Sequence, residues 1–403
     1  MFNTFKKSME RAALLLAVLT PLVPATDAFA ATVPVVTVLT PPVTEGVRAP
    51  LAIALDPRGY YFVADQRIAG ISKFDLSGKL LQVLKLKGPV QGVALNDKGN
   101  LLVSVGTAVA VLDPNGVQLS LLGKGLFKQA SGIAVDVRGY VFVADSGANN
   151  VKVFTSVGKL VKTIGVKGTA NGQFNLPTGI AYERAADQIV VADTRNSRVQ
   201  FFSATGNYSF VKAIGSFGFE PLQFKSPVGA AFEYDGAGVL SRMYVADLYR
   251  NTVQVIDPTD SGTFLSYIAK SGLVNGQLMN PMDVAFDAVN RRLIVVNGNG
   301  HLNLFGIDGG VNPGLTQGLV LDPVDATVGT PTITISGSAP VNATIVVTVK
   351  SPATSEPVTF TSSNTWKAVV NNLAPGSNVL TATALDSSGS VVSKQAIGIV
   401  YSP

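Results

Sequence analysis

Apolar side chains in this sequence come in short runs broken by polar turns, and the runs recur. In GYVFVADSGANNVKVF (Gly139–Phe154) a continuous apolar run ends in an Asp. A polar turn follows, then a run in which Lys152 interrupts Val151, Val153 and Phe154. The first run reads as a strand covered on both faces, the second as a strand with one wetter face. The same order returns as GYYFVADQRIAGISKF (Gly59–Phe74), QIVVADTRNSRVQFF (Gln188–Phe202) and RMYVADLYRNTVQVI (Arg242–Ile256). Ahead of each lies a strand of small residues with an Ala and, two positions on, an acid or Asn. The pairs are Ala54/Asp56, Ala94/Asn96, Ala134/Asp136, Ala181/Glu183, Ala231/Glu233 and Ala285/Asp287, spaced 40, 40, 47, 50 and 54 residues apart. Strand-only units at this spacing, with Gly at the first turn (Gly59, Gly99, Gly139), predict a repeat architecture without helices. Copies one to five end in a fourth run: KLLQVLKL, VQLSLLG, KLVKTIG, SFVKAIG and TFLSYIA. The sixth stops at His301–Gly310 without one. The N-terminal VPVVTVL (Val33–Leu39), ended by Pro41-Pro42, has the missing character and is expected to complete the sixth unit.

Over Pro50–Gly310 these motifs resemble the NHL-repeat family of β-propellers. The resemblance implies an all-β, six-bladed propeller whose N-terminal strand closes the last blade, which removes the weak seam of a circular array. Val105 and Asn297 stand where the other copies have Asp. Beyond Gly310 the composition changes. Residues 311–324 read as a Gly- and Pro-containing linker, and Asp325–Tyr401 holds six short runs spaced as in a β-sandwich. Trp366–Ser390 is similar to bacterial Ig-like domains. The expected plan is a signal peptide at 1–30, the propeller at 31–310, the linker at 311–324 and the Ig-like sandwich at 325–403.

The signal peptide rests on Lys6, Lys7 and Arg11, the apolar Ala12–Leu19 and the cleavage motif Ala28-Phe29-Ala30. Pro21 interrupts the apolar run, which is too short to span a bilayer. A mature chain starting at Ala31 is expected in the periplasm, on the cell surface or outside the cell. The sequence has no Cys, which excludes disulfides and thiolate metal sites, and its net charge of +5 is too mild to argue for a polyanion. A monomer is expected, with a protein or glycan partner at the cell envelope and no nucleic acid.

The repeated Asp65, Asp145, Asp193 and Asp247 suit either metal binding or turn closure. Repetition in most copies favours closure, because a reactive site is built once. The same holds for Asp56, Asp136 and Asp287. His301 is the sole histidine. Propeller lyases that resemble this family depend on several, and one cannot make a two- or three-His zinc site. Asp283 falls beside the axis and could serve a calcium site of the lactonase type. Its counterparts Gly92, Gly132, Gly179 and Gly229 lack carboxylates, which counts against that. The loops between second and third strands bring Arg67, Arg195, Arg198, Tyr249 and Arg250 to one face, where guanidinium groups can engage anions in bidentate fashion. In the loops before the first strands, Phe174, Phe224 and Leu278 are expected to tuck between units. Phe217 and Phe219 are less regular and are expected at the surface as recognition residues. The function expected from these observations is a non-catalytic recognition or scaffold protein, not an enzyme, with no catalytic residue, metal or cofactor. The alternative is a metal-dependent lyase or lactonase-type enzyme with its site at the pore mouth.

Overall fold

The structure is a computed structural model that describes residues 31–57, 59–274, 276–310, 319–322, 324–325, 327–338, 344–350, 358–361, 365–385 and 391–403. The leader at 1–30, Arg58 of the first turn and most of the 311–324 linker lie outside the described residues.

Among the described residues the only helical element is a single 3-10 turn, Thr194–Asn196; everything else regular is strand. Residues 36–307 form six four-stranded antiparallel sheets. In the third sheet the strands are Ala130–Val135, Val141–Asp145, Asn150–Phe154 and Leu160–Ile164, in sequence order. The second strand is buried at every position and the fourth is exposed along most of its length. That gradient is what the apolar runs and the lysines of the fourth strands predict. First strands of consecutive sheets are neighbours, and the sixth, Pro281–Asp287, returns to the first, Pro50–Leu55. Glycine is required where they converge. A Cβ on Gly92 would lie 2.2 Å from the Ser131 carbonyl oxygen, and one on Gly179 would lie 2.0 Å from that of Val228.

The N-terminal strand completes the sixth sheet. Val36–Val43 pairs antiparallel with His301–Ile307, with Val36 opposite Ile307, Leu39 opposite Leu304 and Val43 opposite Leu302. It does not stop at the proline pair as expected. It runs on to Val43 through a register shift between Leu39 and Val43, where Pro41 and Pro42 have no N–H to give the ladder.

Apolar clusters fill the space between adjacent sheets; Phe142, Val151 and Ile164 of the third meet Phe174, Ile189 and Phe202 of the fourth. Phe174, Phe224 and Leu278 are fully buried, as their spacing before Pro implied. Gly165 and Gly215 have positive φ, and a Cβ on either would lie 2.5 Å from the Phe174 or Phe224 ring.

The repeated aspartates tie down two loops each, one more than expected. Asp65 accepts from the N–H groups of Arg67 (3.0 Å) and Ile68 (2.9 Å) in its own turn, and from those of Arg48 (2.6 Å) and Ala49 (2.9 Å) before the first strand. Asp145 does the same with Ala148, Lys128 and Gln129. Asp56, Asp136 and Asp287 accept from backbone N–H groups of the first turn.

Towards the C-terminus there are two further sheets. One holds Val320–Leu321, Ile333–Ser338 and Thr365–Val370; the other has five strands, with Gly376–Leu385 between Val391–Tyr401 and Thr344–Lys350. Ile335 and Trp366 of the first share one core with Ile345, Leu380 and Ile397 of the second. Gly398 lies so close to the first turn of the first sheet that a Cβ there would be 2.2 Å from the Pro57 carbonyl oxygen.

Candidate functional site

The first strands of all six sheets enclose a cavity of about 590 Å³ on the axis. Small and apolar residues dominate its wall, and Thr194, Arg195, Leu248 and Tyr249 close one end. A second cavity of about 490 Å³ shares Leu55, Leu95, Ala181 and Val284 with it and extends past Asp136, Tyr182 and Tyr234. Volumes of this size suit a small molecule rather than a polymer.

Asp283 is the one carboxylate in the lining of the larger cavity. The sequence points to this residue, and its glycine counterparts count against a ring of carboxylates. In the structure they are what isolates it: Gly92, Gly132, Gly179 and Gly229 line the same cavity and bring no charge. Oδ2 of Asp283 accepts from the Ile53 N–H (3.1 Å) across the join between sixth and first sheets, and Oδ1 from the Val284 N–H (2.9 Å). Burial pushes its pKa up to about 7, and the two N–H bonds oppose that rise without cancelling it. A group poised there can give and take a proton at neutral pH. Tyr182 cannot compete as a base. Burial, then its hydrogen bond to Asp187 (2.9 Å), push its pKa up to about 12.

The expected surface residues separate into two groups. Arg195 and Tyr249 line the cavity mouth, and Tyr249 is 64% exposed. Arg67 is exposed on its turn. Phe217 (70%) and Phe219 (61%) are exposed as expected, with the Lys225 ammonium 4.7 Å from the Phe219 ring centroid. Arg198 and Arg250 are engaged elsewhere. Arg198 pairs with Asp193 (2.9 Å) and donates to the carbonyls of Ala170 (2.7 Å) and Gln173 (3.1 Å). Arg250 donates to the carbonyls of Phe219 (2.6 Å), Gln223 (2.8 Å) and Glu220 (3.1 Å). Both bind the loop before a first strand, which is why Arg recurs there; a loop carbonyl cluster needs a forked donor. Arg195→Ala should therefore change stability by less than about 0.5 kcal/mol, whereas Arg198→Ala should lower it by about 1–3 kcal/mol in urea denaturation. Sequence reasoning missed Thr194. Its hydroxyl donates to the Pro227 carbonyl (2.8 Å) and lies 2.6 Å from that of Thr178, beside the mouth.

An NHL repeat is matched at residues 174–202, from the buried Phe174 to the end of the third strand. The chain is 31% identical over 168 residues to the peptidylglycine alpha-amidating monooxygenase of Rattus norvegicus, an alignment spanning 36% of this chain and 17% of that protein. The fold is shared with a Bacteroides thetaiotaomicron protein of unknown function (TM-score 0.52, 14% identity, 68% of this chain and 75% of that one). It is also shared with a luciferin-regenerating enzyme (TM-score 0.50, 16% identity, 69% and 98%). The match to a monooxygenase corrects the expectation that the chain is not an enzyme. The error lay in the inference from His301. A lone histidine rules out a multi-histidine zinc site, but not acid–base chemistry at a buried carboxyl. The chain is thus all-β, with six four-stranded antiparallel sheets and one matched NHL repeat, and it shares its fold with these solved structures.

Proposed function

We propose that the chain is an exported enzyme that binds a small, largely apolar molecule in its axial cavity and moves a proton at Asp283. The observation that carries this reading is the single carboxyl, half-protonated near neutrality, in a wall that brings no other acid. Elimination and lactone opening both need one group able to take or give a proton beside a desolvated substrate. Arg195 at the mouth supplies a cation for an anionic head group, and Tyr249 an aromatic face. The six sheets are read as six blades and the C-terminal pair as an Ig-like sandwich. The cycle of neighbouring first strands and the shared core around Trp366 support both readings. The exposed Phe217 and Phe219 favour a second, additional role: a rim that contacts a protein or glycan at the cell envelope.

The test is a thermal-shift screen of lactones and hydroxy acids, followed by turnover assays on the molecules that bind. Asp283→Asn should retain binding and lose turnover by about 10²-fold or more. Arg195→Ala should weaken anionic ligands about tenfold while sparing neutral ones. Equal turnover by Asp283→Asn would remove the carboxyl from the reaction, and a screen without any binder would remove the cavity.

A further inference from the structure

Residues 31–35 precede the closing strand and are held by three side chains of the fifth and sixth sheets. Arg242 donates through Nε to the Thr32 carbonyl (2.8 Å) and through Nη2 to the Thr32 hydroxyl (3.0 Å). Asp308 accepts from the Val35 N–H (2.8 Å), and its own N–H returns a bond to the Val35 carbonyl (2.8 Å). The Ala31 nitrogen lies 3.4 Å from Oδ2 of Asp257. Asp257 is 9% exposed, and its other oxygen is occupied by the N–H (3.0 Å) and hydroxyl (2.7 Å) of Thr259. Among the described residues no Lys or Arg forms an ion pair with Asp257. Lys212, whose charge Asp257 feels, donates instead to the carbonyls of Pro258 and Asp260. A carboxylate that is nearly buried and aimed at a backbone nitrogen is under-used by an amide, which offers one proton and no charge.

Ala31 is also the residue that follows the Ala28-Phe29-Ala30 motif. We infer that the ammonium released at Ala31, when the Ala30–Ala31 bond is hydrolysed, binds the Asp257 carboxylate and fastens the closing strand. The inference rests on the export reading and goes beyond it by naming what the new terminus does. Water adds across the peptide bond under a signal-peptidase type of hydrolase. Ala30 leaves as a carboxylate, and Ala31 keeps the nitrogen, which is protonated at neutral pH. An amide donor becomes an ammonium with three protons, and the contact becomes a charge-assisted one of about twice the strength. Processing then acts at the one place where the ring is closed by a strand distant in sequence. The leader and the lock share a single bond.

The test is a double-mutant cycle on the full chain expressed with its leader and recovered after export. One background keeps the native junction; the other inserts Gly-Ser between Ala30 and Ala31, so that the ammonium is displaced and Ala31 carries an amide again. Asp257→Asn is placed in each, and folding equilibria are read by urea denaturation beside N-terminal sequencing. The native junction should begin at Ala31 and lose about tenfold in its folding constant with Asp257→Asn, whereas the extended form should lose little more from that change. The insertion alone should cost a similar tenfold, a readout that survives if Asp257→Asn does not fold. A native terminus other than Ala31 would overturn the cleavage reading. A terminus at Ala31 with equal losses in both backgrounds would overturn the ion pair and leave export intact.

Discussion

Arg242→Ala is expected to destabilise the ring by about 3–5 kcal/mol, the usual cost of removing one partner from a buried charge cluster. Arg242 Nη1 lies 3.0 Å from the Glu233 carboxylate and 2.7 Å from that of Asp308, and the Arg242 and Glu233 side chains are 7% and 3% exposed. Glu233 also accepts from Tyr244 Oη (2.5 Å) and from Arg291 (2.7 Å). Without Arg242, the buried Glu233 carboxylate and the part-exposed Asp308 carboxylate are left with only Arg291 between them. The two bonds to Thr32 go as well, so the approach to the closing strand loosens. Urea denaturation should show the full loss at pH 7 and a smaller one at pH 3. The sign follows from Asp308. Burial alone would raise its pKa, but hydrogen bonds from Arg242 and the Val35 N–H, with the charges of Arg242 and Arg291, hold it below the usual value. A lowered carboxyl contributes stability that is present above the ordinary range and lost as pH falls through the folded value. Arg242→Ala should flatten that acid limb. A loss of the same size at both pH values would mean that packing, not charge, holds the cluster together.

The fold was legible because the repeat writes the same physical constraints several times. Six small-residue strands, the buried run ending in Asp and the missing sixth fourth strand all follow from how sheets stack round an axis. The Pro41-Pro42 pair does not end the strand, because a proline does so only where its N–H is needed. A register shift between Leu39 and Val43 lets the chain pass without that bond. The site was less legible. Arg67, Arg195, Arg198 and Arg250 look alike in sequence, and only three-dimensional placement separates the two that clamp loop carbonyls from Arg195 at the mouth. The glycine counterparts of Asp283 count against a ring of carboxylates, not against a single one. A proton-transfer site needs one, and desolvation by neighbours without charge is the property that tunes it. Nothing local in the sequence distinguishes a carboxyl that faces an open pore from one that faces an enclosed cavity.

Asp283→Asn is expected to make the protein more stable at pH 8, by about 2–4 kcal/mol, and to change little at pH 4. The wild-type carboxyl titrates at about 7 in the folded chain against 3.8 as a free group. Between those values the folded protein keeps a proton that the unfolded chain releases, so wild-type stability falls as pH rises through the window and levels off above it. Three pK units correspond to about 4 kcal/mol, and the lower end of the range allows for water entering along the axis. Asparagine keeps the shape and, through its carbonyl oxygen, one of the two bonds to Ile53 and Val284, but it has no charge to desolvate. The difference between variant and wild type, measured by denaturation at half-unit steps from pH 4 to 8, should therefore trace the titration of one group. A difference that does not vary with pH would place the carboxyl in ordinary solvent. A difference that grows from about pH 4 and levels off above about 7 would instead show a residue kept at a standing cost to the fold, which is the mark expected of a group retained for what it does in the cavity.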